Sequence, residues 1–573
     1  MKAKVHFQKL RFAGLVSVSA LVLGAVPALA QTDATGIADP SRAGEQFEQP
    51  SMQPSVEPEL RVRDQRIQPA PAGAENVKFT LNGINVEGAT IYSDSSIRSL
   101  YADKLGKTVS LADIYDVAGE LTLKYRNDGY ILTQVVVQPN GGNPTLRVVE
   151  GNVANITLQK SDPDAPINMA TVEAYASQLK NSSALNAKDL ERQLLLINDL
   201  PGVTARSVLS RSATPGATDV TIIVDYDPLD GVVSVDNFGS RYLGPWQLGA
   251  AATANSWLGM NEAITAQTVI APQSWYELAY GSLGYEMPVG DYGTKVKVFG
   301  SVTDTDPGYD LKQFDVRGRS YLLNVGATHP IIRSRTENLY GRLNFDWRRV
   351  KSSNDIEETR RDRLSVLRAG ARYEFIDTLV GAAANTVDVE LSKGLNILGA
   401  SDEGDDNMTR DAADPQATKF EADIQRLQRI TDNVNLLVGA RGQIASNALL
   451  SSEEFSVGGV YGFGRGYDPS EVTGDHGIAG KVELQWNDPY KLDPDYVDSY
   501  QLYGFYDIGR VWNEDATTNS QERDSLAAVG AGVRIDLPYE MDGGFAVAFP
   551  LTREPTTQND RDPKFYVNFS KRF

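Results

Sequence analysis

The sequence predicts an all-β, sixteen-stranded antiparallel transmembrane β-barrel preceded by two small α+β domains. Three observations predict this fold: an export signal at the start of the chain, a repeated strand–helix–helix–strand–strand order before residue 229, and regular polar–apolar alternation after it. All six tryptophans follow residue 245. Aromatic residues are enriched at membrane interfaces, so this distribution indicates that the two parts of the chain have different surroundings.

Residues 1–30 have the pattern of a secretory signal peptide. Four basic residues precede an apolar run from Ala13 to Val26, and Ala28-Leu29-Ala30 matches a cleavage site. The alternative is an uncleaved membrane anchor, but the apolar run is shorter than the ~20 residues that a spanning helix needs. We therefore expect an exported mature chain that begins at Gln31.

Composition disfavours several classes of function. The chain has no cysteine and three histidines, which rules out disulfides and thiolate chemistry and leaves little for zinc or triad chemistry. Loss of four basic and no acidic residues with the signal changes the formal net charge from -20 to -24. This charge disfavours nucleic acid as a partner. We expect no cofactor, no bound metal and no enzymatic activity.

The region before the barrel divides into a linker and two similar domains. Residues 31–75 are rich in Pro, Gln, Glu and Ala, which is typical of a linker, and Ser41–Gln49 is compatible with a short helix and no more. Residues 76–151 and 152–228 repeat one β-α-α-β-β order. In the first copy, Ser110–Asp113 is a capping box that begins a helix. The repeat predicts two copies of one small domain.

Residues 229–573 alternate polar and apolar side chains over ~10-residue segments, which is typical of strands with one lipid face and one wet face. A soluble β-sandwich or β-helix would also alternate. The final strand, however, ends on an aromatic residue, Phe573, and so resembles the signal that the bacterial barrel-assembly machinery reads. Segments begin near Val232, Pro245, Glu262, Trp275, Gly293, Gly318, Glu337, Arg363, Ala384, Ala417, Asp432, Gly477, Asp498, Leu526, Gly543 and Pro563.

Connection lengths predict the orientation of this barrel. Connections after even-numbered segments are short, such as Leu258–Asn261 and Arg429–Asp432. Those after odd-numbered segments are longer and charged, such as Lys351–Arg363 and Asn396–Pro415. Short periplasmic turns and long outer loops are the rule for outer-membrane barrels, so both small domains are expected in the periplasm.

Four motifs in a fixed order carry a specific resemblance. They are Leu194–Val203 in the second small domain, Asp236–Arg241 at the start of the barrel, Phe463–Tyr467 after the eleventh segment and Phe505–Trp512 in the thirteenth. With them the chain resembles the two-partner secretion transporters, or TpsB proteins, of the BamA superfamily. The resemblance implies two POTRA domains, a sixteen-stranded barrel and a secreted TpsA-type exoprotein that passes through it.

The resemblance also implies a loop that folds back into the lumen through Gly464, Arg465, Gly466 and Tyr467, so that Arg465 meets an acidic residue on the wall. Alternation with a period of two aims Asp507 and the short Gly509 at the lumen, and a guanidinium can form a charge-assisted pair with that carboxylate. An ordinary outer hairpin is the alternative. A phosphate-binding loop is disfavoured, because no strand-then-helix context surrounds these glycines.

Client binding is expected at an edge strand of the first POTRA domain, in the segment of Tyr130, Ile131, Thr133 and Val135. Strand addition suits an unfolded partner because main-chain hydrogen bonds form whatever the side chains. The alternative is that these residues only cover the helices of their own domain. Many members of the resembled family also carry an N-terminal helix in the pore. Asp39–Phe47 is the only candidate here, and its short, polar sequence leaves that question open.

The predicted function is secretion of an unfolded exoprotein across the outer membrane. An assembly factor or insertase of the same superfamily and a passive porin are the alternatives. The other expected partners are outer-membrane lipid, lipopolysaccharide and, during biogenesis, the barrel-assembly machinery. We expect a monomer.

Overall fold

The computed structural model describes residues 37–48, 69–181, 184–214, 216–272, 277–354, 356–460, 462–487, 496–514, 522–558 and 560–573. The predicted signal peptide and most of the predicted linker lie outside these residues, as does Trp275 at the expected start of the fourth barrel strand. None of the helices in the described ranges is long and apolar enough to cross a membrane.

Helix α1 (Pro40–Glu48) precedes the first small domain. In that domain β2 (Asn85–Glu87), β5 (Thr145–Val149) and β4 (Gln134–Gln138) form a sheet in this order, while β1 (Lys78–Thr80) and β3 (Thr108–Ser110) form a separate antiparallel pair. Strand β2 runs parallel to β5, and β4 runs antiparallel to it. The helices of this domain are α2 (Asp94–Arg98), between β2 and β3, and α3 (Leu111–Asn127), between β3 and β4.

Helix α3 begins at the predicted capping box, which is confirmed. The Ser110 backbone N–H donates to the Asp113 carboxylate at 2.7 Å, and the Asp113 N–H donates back to Ser110 Oγ at 3.2 Å. These hydrogen bonds from Ser110 hold the pKa of Asp113 below its usual value. The apolar face of α3 is buried in the same core as Val135 and Val137 of β4. The capping box therefore satisfies two backbone N–H groups that would otherwise have no partner at the start of α3.

The second small domain repeats the order of β2, α2, α3, β4 and β5 of the first, with β6 parallel to the central β8 and β7 antiparallel to it. Each of its two edge strands is nine residues long. The elements are β6 (Asn152–Lys160), α4 (Met169–Ser177), α5 (Ala187–Asn198), β7 (Val203–Arg211) and β8 (Ala217–Tyr226).

Sixteen antiparallel strands then form a closed barrel, as predicted. Two further short strands, β20 (Phe455–Val457) and β21 (Val472–Gly474), pair with each other between β19 and β22. The barrel strands are β9 (Leu229–Asp236), β10 (Gln247–Asn255), β11 (Ala263–Ile270), β12 (Leu278–Val289), β13 (Thr294–Thr305), β14 (Arg317–Arg333), β15 (Glu337–Ser353), β16 (Glu358–Asp377), β17 (Ala383–Gly394), β18 (Thr418–Arg429), β19 (Val434–Ala445), β22 (His476–Asn487), β23 (Ser499–Trp512), β24 (Arg523–Leu537), β25 (Met541–Pro550) and β26 (Lys564–Arg572).

The prediction of one outer loop is wrong. The charged stretch Lys351–Arg363 is mostly strand, because β15 continues to Ser353 and β16 begins at Glu358. Lys351 pairs with Arg361 across the ladder, and Glu358 forms ion pairs with both cations. A strand continues through charged residues outside the membrane as long as its backbone stays paired with the neighbouring strand. By contrast, residues 395–417 do form a long connection.

The barrel closes where the first strand, β9, meets the last, β26. The Asn237 side chain continues this seam beyond the paired strands, because it accepts from Val567 N–H at 2.7 Å and donates to the Phe565 carbonyl at 2.9 Å. At the opposite end, Phe573 and Gly231 exchange two backbone hydrogen bonds of 2.8 and 3.1 Å. Phe573, the expected assembly signal, therefore lies in the seam.

Candidate functional site in the barrel lumen

The connection between β19 and β22 folds back into the barrel, and its glycines make the fold possible. Gly458 and Gly464 have φ angles of 131° and 111°, which are unfavourable for residues with a side chain. A Cβ on Gly464 would lie 2.7 Å from Leu526 Cδ1, and one on Gly458 would lie 2.1 Å from the Asp468 carbonyl oxygen. Strands β21 and β22 follow this loop, which is not the helix that a phosphate-binding loop needs.

At the tip of the loop, Arg465 contacts the carboxylate of Asp507. Its Nε and Nη2 donate to the two oxygens of that carboxylate, both at 2.8 Å, and its backbone N–H adds a third hydrogen bond at 3.0 Å. Asp507 is fully buried and Arg465 is 7% exposed. The guanidinium also lies 3.6 Å from the centre of the Phe505 ring. This is a bidentate, charge-assisted pair with a cation–π contact on one face.

A second carboxylate, Glu483 of β22, also binds this arginine, and sequence reasoning missed it. Arg465 Nη1 donates to Glu483 Oε2, while the other Glu483 oxygen accepts from Arg534 Nη1 at 2.7 Å. Alternation along β22 does place Glu483 on the lumen side of the wall. Whether Glu483 reaches Arg465 depends on the register between β22 and β23. In that register Glu483 pairs with Phe505, and Lys481 pairs with Asp507.

The neighbours of Arg465 tie the loop to several parts of the wall. Gly466 N–H donates to the Tyr566 hydroxyl of β26 at 3.0 Å, and the Tyr467 hydroxyl donates to the Ala527 carbonyl of β24 at 3.0 Å. Gly509 leaves space for the loop, because a Cβ there would lie 2.5 Å from Val457 Cγ1. All six residues predicted for this site therefore lie in one buried cluster.

Helix α1 lies inside the barrel as well. Ala43 is fully buried, and the rings of Phe47 and Tyr280 are 4.8 Å apart. Arg348 of β15 donates to the Ser41 carbonyl at 3.2 Å and lies 3.5 Å from the Glu45 carboxylate. A short, partly polar helix suits this site because the surrounding wall is itself charged.

The strongest polar contacts of α1 are made by Arg42. Its Nε and Nη2 donate to the Ser451 carbonyl at 2.9 and 2.6 Å, and Nη2 also forms an ion pair with Glu454. The second Glu454 oxygen accepts from Arg410 of the outer connection, at 3.1 Å. One short turn, Ser451–Glu454, thus links α1 to the connection of residues 395–417, which lies at the end of the barrel opposite the two small domains.

The same turn is anchored to the barrel wall. Glu453 lies 2.6 Å from Arg368 of β16 and 2.9 Å from Lys419 of β18. Arg368 also pairs with Asp346 of β15 at 2.6 Å. Buried charges are tolerated where each has a partner, so this network gives the turn a fixed position in the lumen.

Comparison with known proteins agrees with this architecture. The family model described as "Haemolysin secretion/activation protein ShlB/FhaC/HecB" matches residues 216–535, which is more than half of the chain, and "POTRA domain, ShlB-type" matches residues 79–151. The chain belongs to the ShlB/FhaC/HecB family. It is an outer-membrane transporter of the two-partner secretion type, and its POTRA domains are periplasmic.

Several known transporters are similar to this chain over most of its length. "Heme/hemopexin transporter protein HuxB" of Haemophilus influenzae is 24% identical over 98% of both chains. "Outer membrane transporter CdiB" of Dickeya dadantii is 22% identical over 85% of this chain and 87% of its own. The solved structure of CdiB from Escherichia coli has a TM-score of 0.71 at 21% identity and covers 89% of this chain and 94% of its own, which supports the fold.

The edge strand expected to bind the client in the first POTRA domain is wrong in its first part. Tyr130, Ile131 and Thr133 precede β4, which begins at Gln134, and only Val135 lies in the strand. Thr133 is buried, and its N–H donates to the Tyr130 carbonyl at 3.1 Å. The segment is therefore a turn between α3 and β4, and β-propensity alone did not distinguish it from a strand.

A second reason for this error is contact between the two POTRA domains. Leu132 packs against the core of the second domain, and a Cβ on Gly151 would lie 2.5 Å from Leu132 Cβ. Leu132 thus contributes to the junction between the two domains, while Tyr130 packs in the core of the first. Strand β4 itself is at the edge of its sheet.

Proposed function

We propose that the transporter receives its client unfolded in the periplasm by strand addition at the POTRA sheet edges. The observation that carries this proposal is the strand order of the two sheets, which leaves β4 at one edge of the first and β7 at one edge of the second. An edge strand offers backbone donors and acceptors to any extended segment. Gln134 and Gln138 of β4 and Val208 of β7 are exposed beside these edges.

The client then passes through the lumen after α1 moves aside, while the Arg465 loop stays on the wall. The relatives are named for different cargoes, heme/hemopexin and hemolysin, so the shared element is the route rather than the cargo. Folding of the client outside the cell supplies the direction of transport, since the periplasm offers no nucleotide to drive it.

The remaining partners follow from the barrel surface. Exposed apolar side chains such as Leu343, Ile444 and Leu484 form the outer face that contacts lipid and, in the outer leaflet, lipopolysaccharide. The barrel-assembly machinery recognises the last strand, β26, together with Phe573, the residue that follows it. We propose that a single copy is sufficient for secretion, because the lumen belongs to one chain.

Deletion of the gene, followed by comparison of the proteins in the growth medium, tests this function. We expect one exoprotein to disappear and to return when the full chain is supplied. A variant that lacks residues 76–151 should assemble a heat-modifiable barrel without restoring that exoprotein. A general loss of other outer-membrane proteins would instead indicate an assembly factor, and an unchanged medium would indicate a passive porin.

The sheet edges can be tested by photo-crosslinking in cells that secrete this exoprotein. A photoreactive residue at Gln134 or Val208 should crosslink to the client. Glu120 of α3 and Glu173 of α4, exposed helical positions in the same two domains, serve as matched controls. Equal crosslinking from strands and helices would contradict recognition by strand addition.

A further inference from the structure

The motif Leu194–Val203, at the end of α5 and the start of β7, lies against the periplasmic rim of the barrel. Asp199 accepts two hydrogen bonds from Arg333, the last residue of β14, with Nε and Nη2 at 2.9 and 2.8 Å. Arg333 is mostly buried in this contact and Asp199 is about one-quarter exposed. A bidentate pair fixes orientation as well as distance, which a single hydrogen bond does not.

Other contacts of α5 reach the last residues of β14 and the turn that follows. Arg192 Nη2 donates to the Pro330 carbonyl at 3.0 Å, and Glu191 accepts from the Arg335 N–H at 2.7 Å. Leu196 packs against Gly293, where an added Cβ would lie 2.5 Å from Leu196 Cδ2. Helix α5 therefore contacts two neighbouring periplasmic turns along one face.

A third turn binds the loop before α4. Asn168 and Asn261 exchange two hydrogen bonds, 2.9 Å from the Asn168 N–H and 3.1 Å to its carbonyl, and Ser256 Oγ donates to the Pro166 carbonyl at 2.8 Å. Two other described turns of the same rim are open to solvent, since Leu379 is 87% exposed and Tyr539 is 82% exposed. The second POTRA domain thus contacts three turns on one side of the pore entrance and leaves at least these two described turns uncovered.

This docking determines where β7 begins. Gly202 directly precedes β7 and has no space for a side chain, because a Cβ would lie 2.1 Å from the Asp227 carbonyl oxygen and 2.7 Å from Asn255 Cβ. The first residue of β7, Val203, pairs with Tyr226, whose hydroxyl donates to the Asn255 carbonyl at the end of β10. The edge strand thus starts at the barrel rim and extends away from it.

We propose that Asp199 and Arg333 are positioning residues for secretion, which hold the second POTRA domain so that a client strand added along β7 ends at the pore entrance. This inference rests on the proposed function. Neither residue contacts the client. Their role is to keep the start of β7 at the rim while the client moves past it.

Charge reversal tests the pair. Asp199→Arg and Arg333→Asp should each lower the amount of exoprotein in the medium about tenfold, the change expected when roughly 1.4 kcal/mol of docking is lost. The exchanged pair, Asp199→Arg with Arg333→Asp, should restore most of the secretion, and so should the conservative Asp199→Glu. Asp189→Arg, an exposed position of the same helix, is the matched control and should secrete normally.

Two further measurements separate positioning from misfolding and from client binding. Heat-modifiability and protease resistance of each variant report the fold of the barrel and of the POTRA domain. Crosslinks from Val208 to the client should persist in Asp199→Arg while secretion falls, because binding along β7 is retained and only delivery is lost. Normal secretion by both single variants, or no recovery in the exchanged pair, would overturn the inference. If Val208 forms no crosslink to the client even when Asp199 and Arg333 are unchanged, the proposed function itself is contradicted.

Discussion

Two segments lie inside the barrel, and they are held by different kinds of contact. Arg465 binds carboxylates that belong to wall strands, Asp507 of β23 and Glu483 of β22. Arg42 of helix α1 binds a carbonyl and a carboxylate of the turn Ser451–Glu454, which is itself part of a connection. The loop also continues directly into β22, whereas α1 is separated from the POTRA domains by a long stretch of sequence. The difference predicts that the loop is a fixed part of the pore and the helix is the removable part.

The largest effect is expected from Arg465→Ala. It leaves two buried carboxylates without their common cation, and breaking such a pair costs about 3–5 kcal/mol. Secretion should fall strongly but stay measurable, while heat-modifiability shows an assembled barrel. Arg342→Ala, which removes a lumen arginine paired with Asp388 across the wall, is the control and should retain more secretion.

Asp507→Ala should be milder than Arg465→Ala, because Arg465 keeps Glu483 as a partner. The double variant should lose less than the sum of the single losses, as expected for residues that share one interaction. Strictly additive losses in the exoprotein assay would refute the view that these residues act as one unit.

Arg42→Ala should affect the pore rather than secretion. Loss of the hydrogen bonds to Ser451 and of the ion pair with Glu454 weakens the docking of α1 by about 1–3 kcal/mol. Planar-bilayer recordings should then show a larger open fraction, and cells should become more sensitive to large antibiotics. Unchanged conductance would mean that the packing of Phe47 and its neighbours is sufficient to retain the helix.

Arg348→Ala should produce a smaller rise in conductance than Arg42→Ala. Its hydrogen bond to Ser41 and its distance to Glu45, 3.2 and 3.5 Å, are longer than the contacts of Arg42. Parallel recordings of the two variants give the ranking directly. A larger effect for Arg348→Ala would place the main anchor of the helix on the wall.

The smallest effect concerns coupling between the two segments. Within the described part of the chain Arg42 and Arg465 share no partner, and Glu453 anchors the turn to Arg368 and Lys419 independently of Arg465. The conductance change caused by Arg42→Ala should therefore be the same, within about 0.5 kcal/mol, with and without Arg465→Ala. Strong coupling would show that the loop and the helix move together.

Much of the pore-loop site could be predicted from local pattern. A period of two aims Asp507 and Gly509 at the lumen whatever the rest of the barrel does. Glu483 also faces inward, but its distance from Arg465 depends on how neighbouring strands are staggered around the barrel. The segment before Gln134 shows the opposite limit, since it has the β-propensity of a strand but Tyr130 packs in the core of its own domain and Leu132 packs against the core of the next one.

The sequence by itself determined the number of strands, the lumen-facing residues and the order of the domains, because each depends on periodicities within short segments. Only the tertiary structure decided that α1 occupies the lumen, that Arg465 has two carboxylate partners, and that Asp199 docks on Arg333. These contacts join residues far apart in the chain, 134 positions for the last pair. No local pattern encodes such distances, because they follow from barrel closure and strand register.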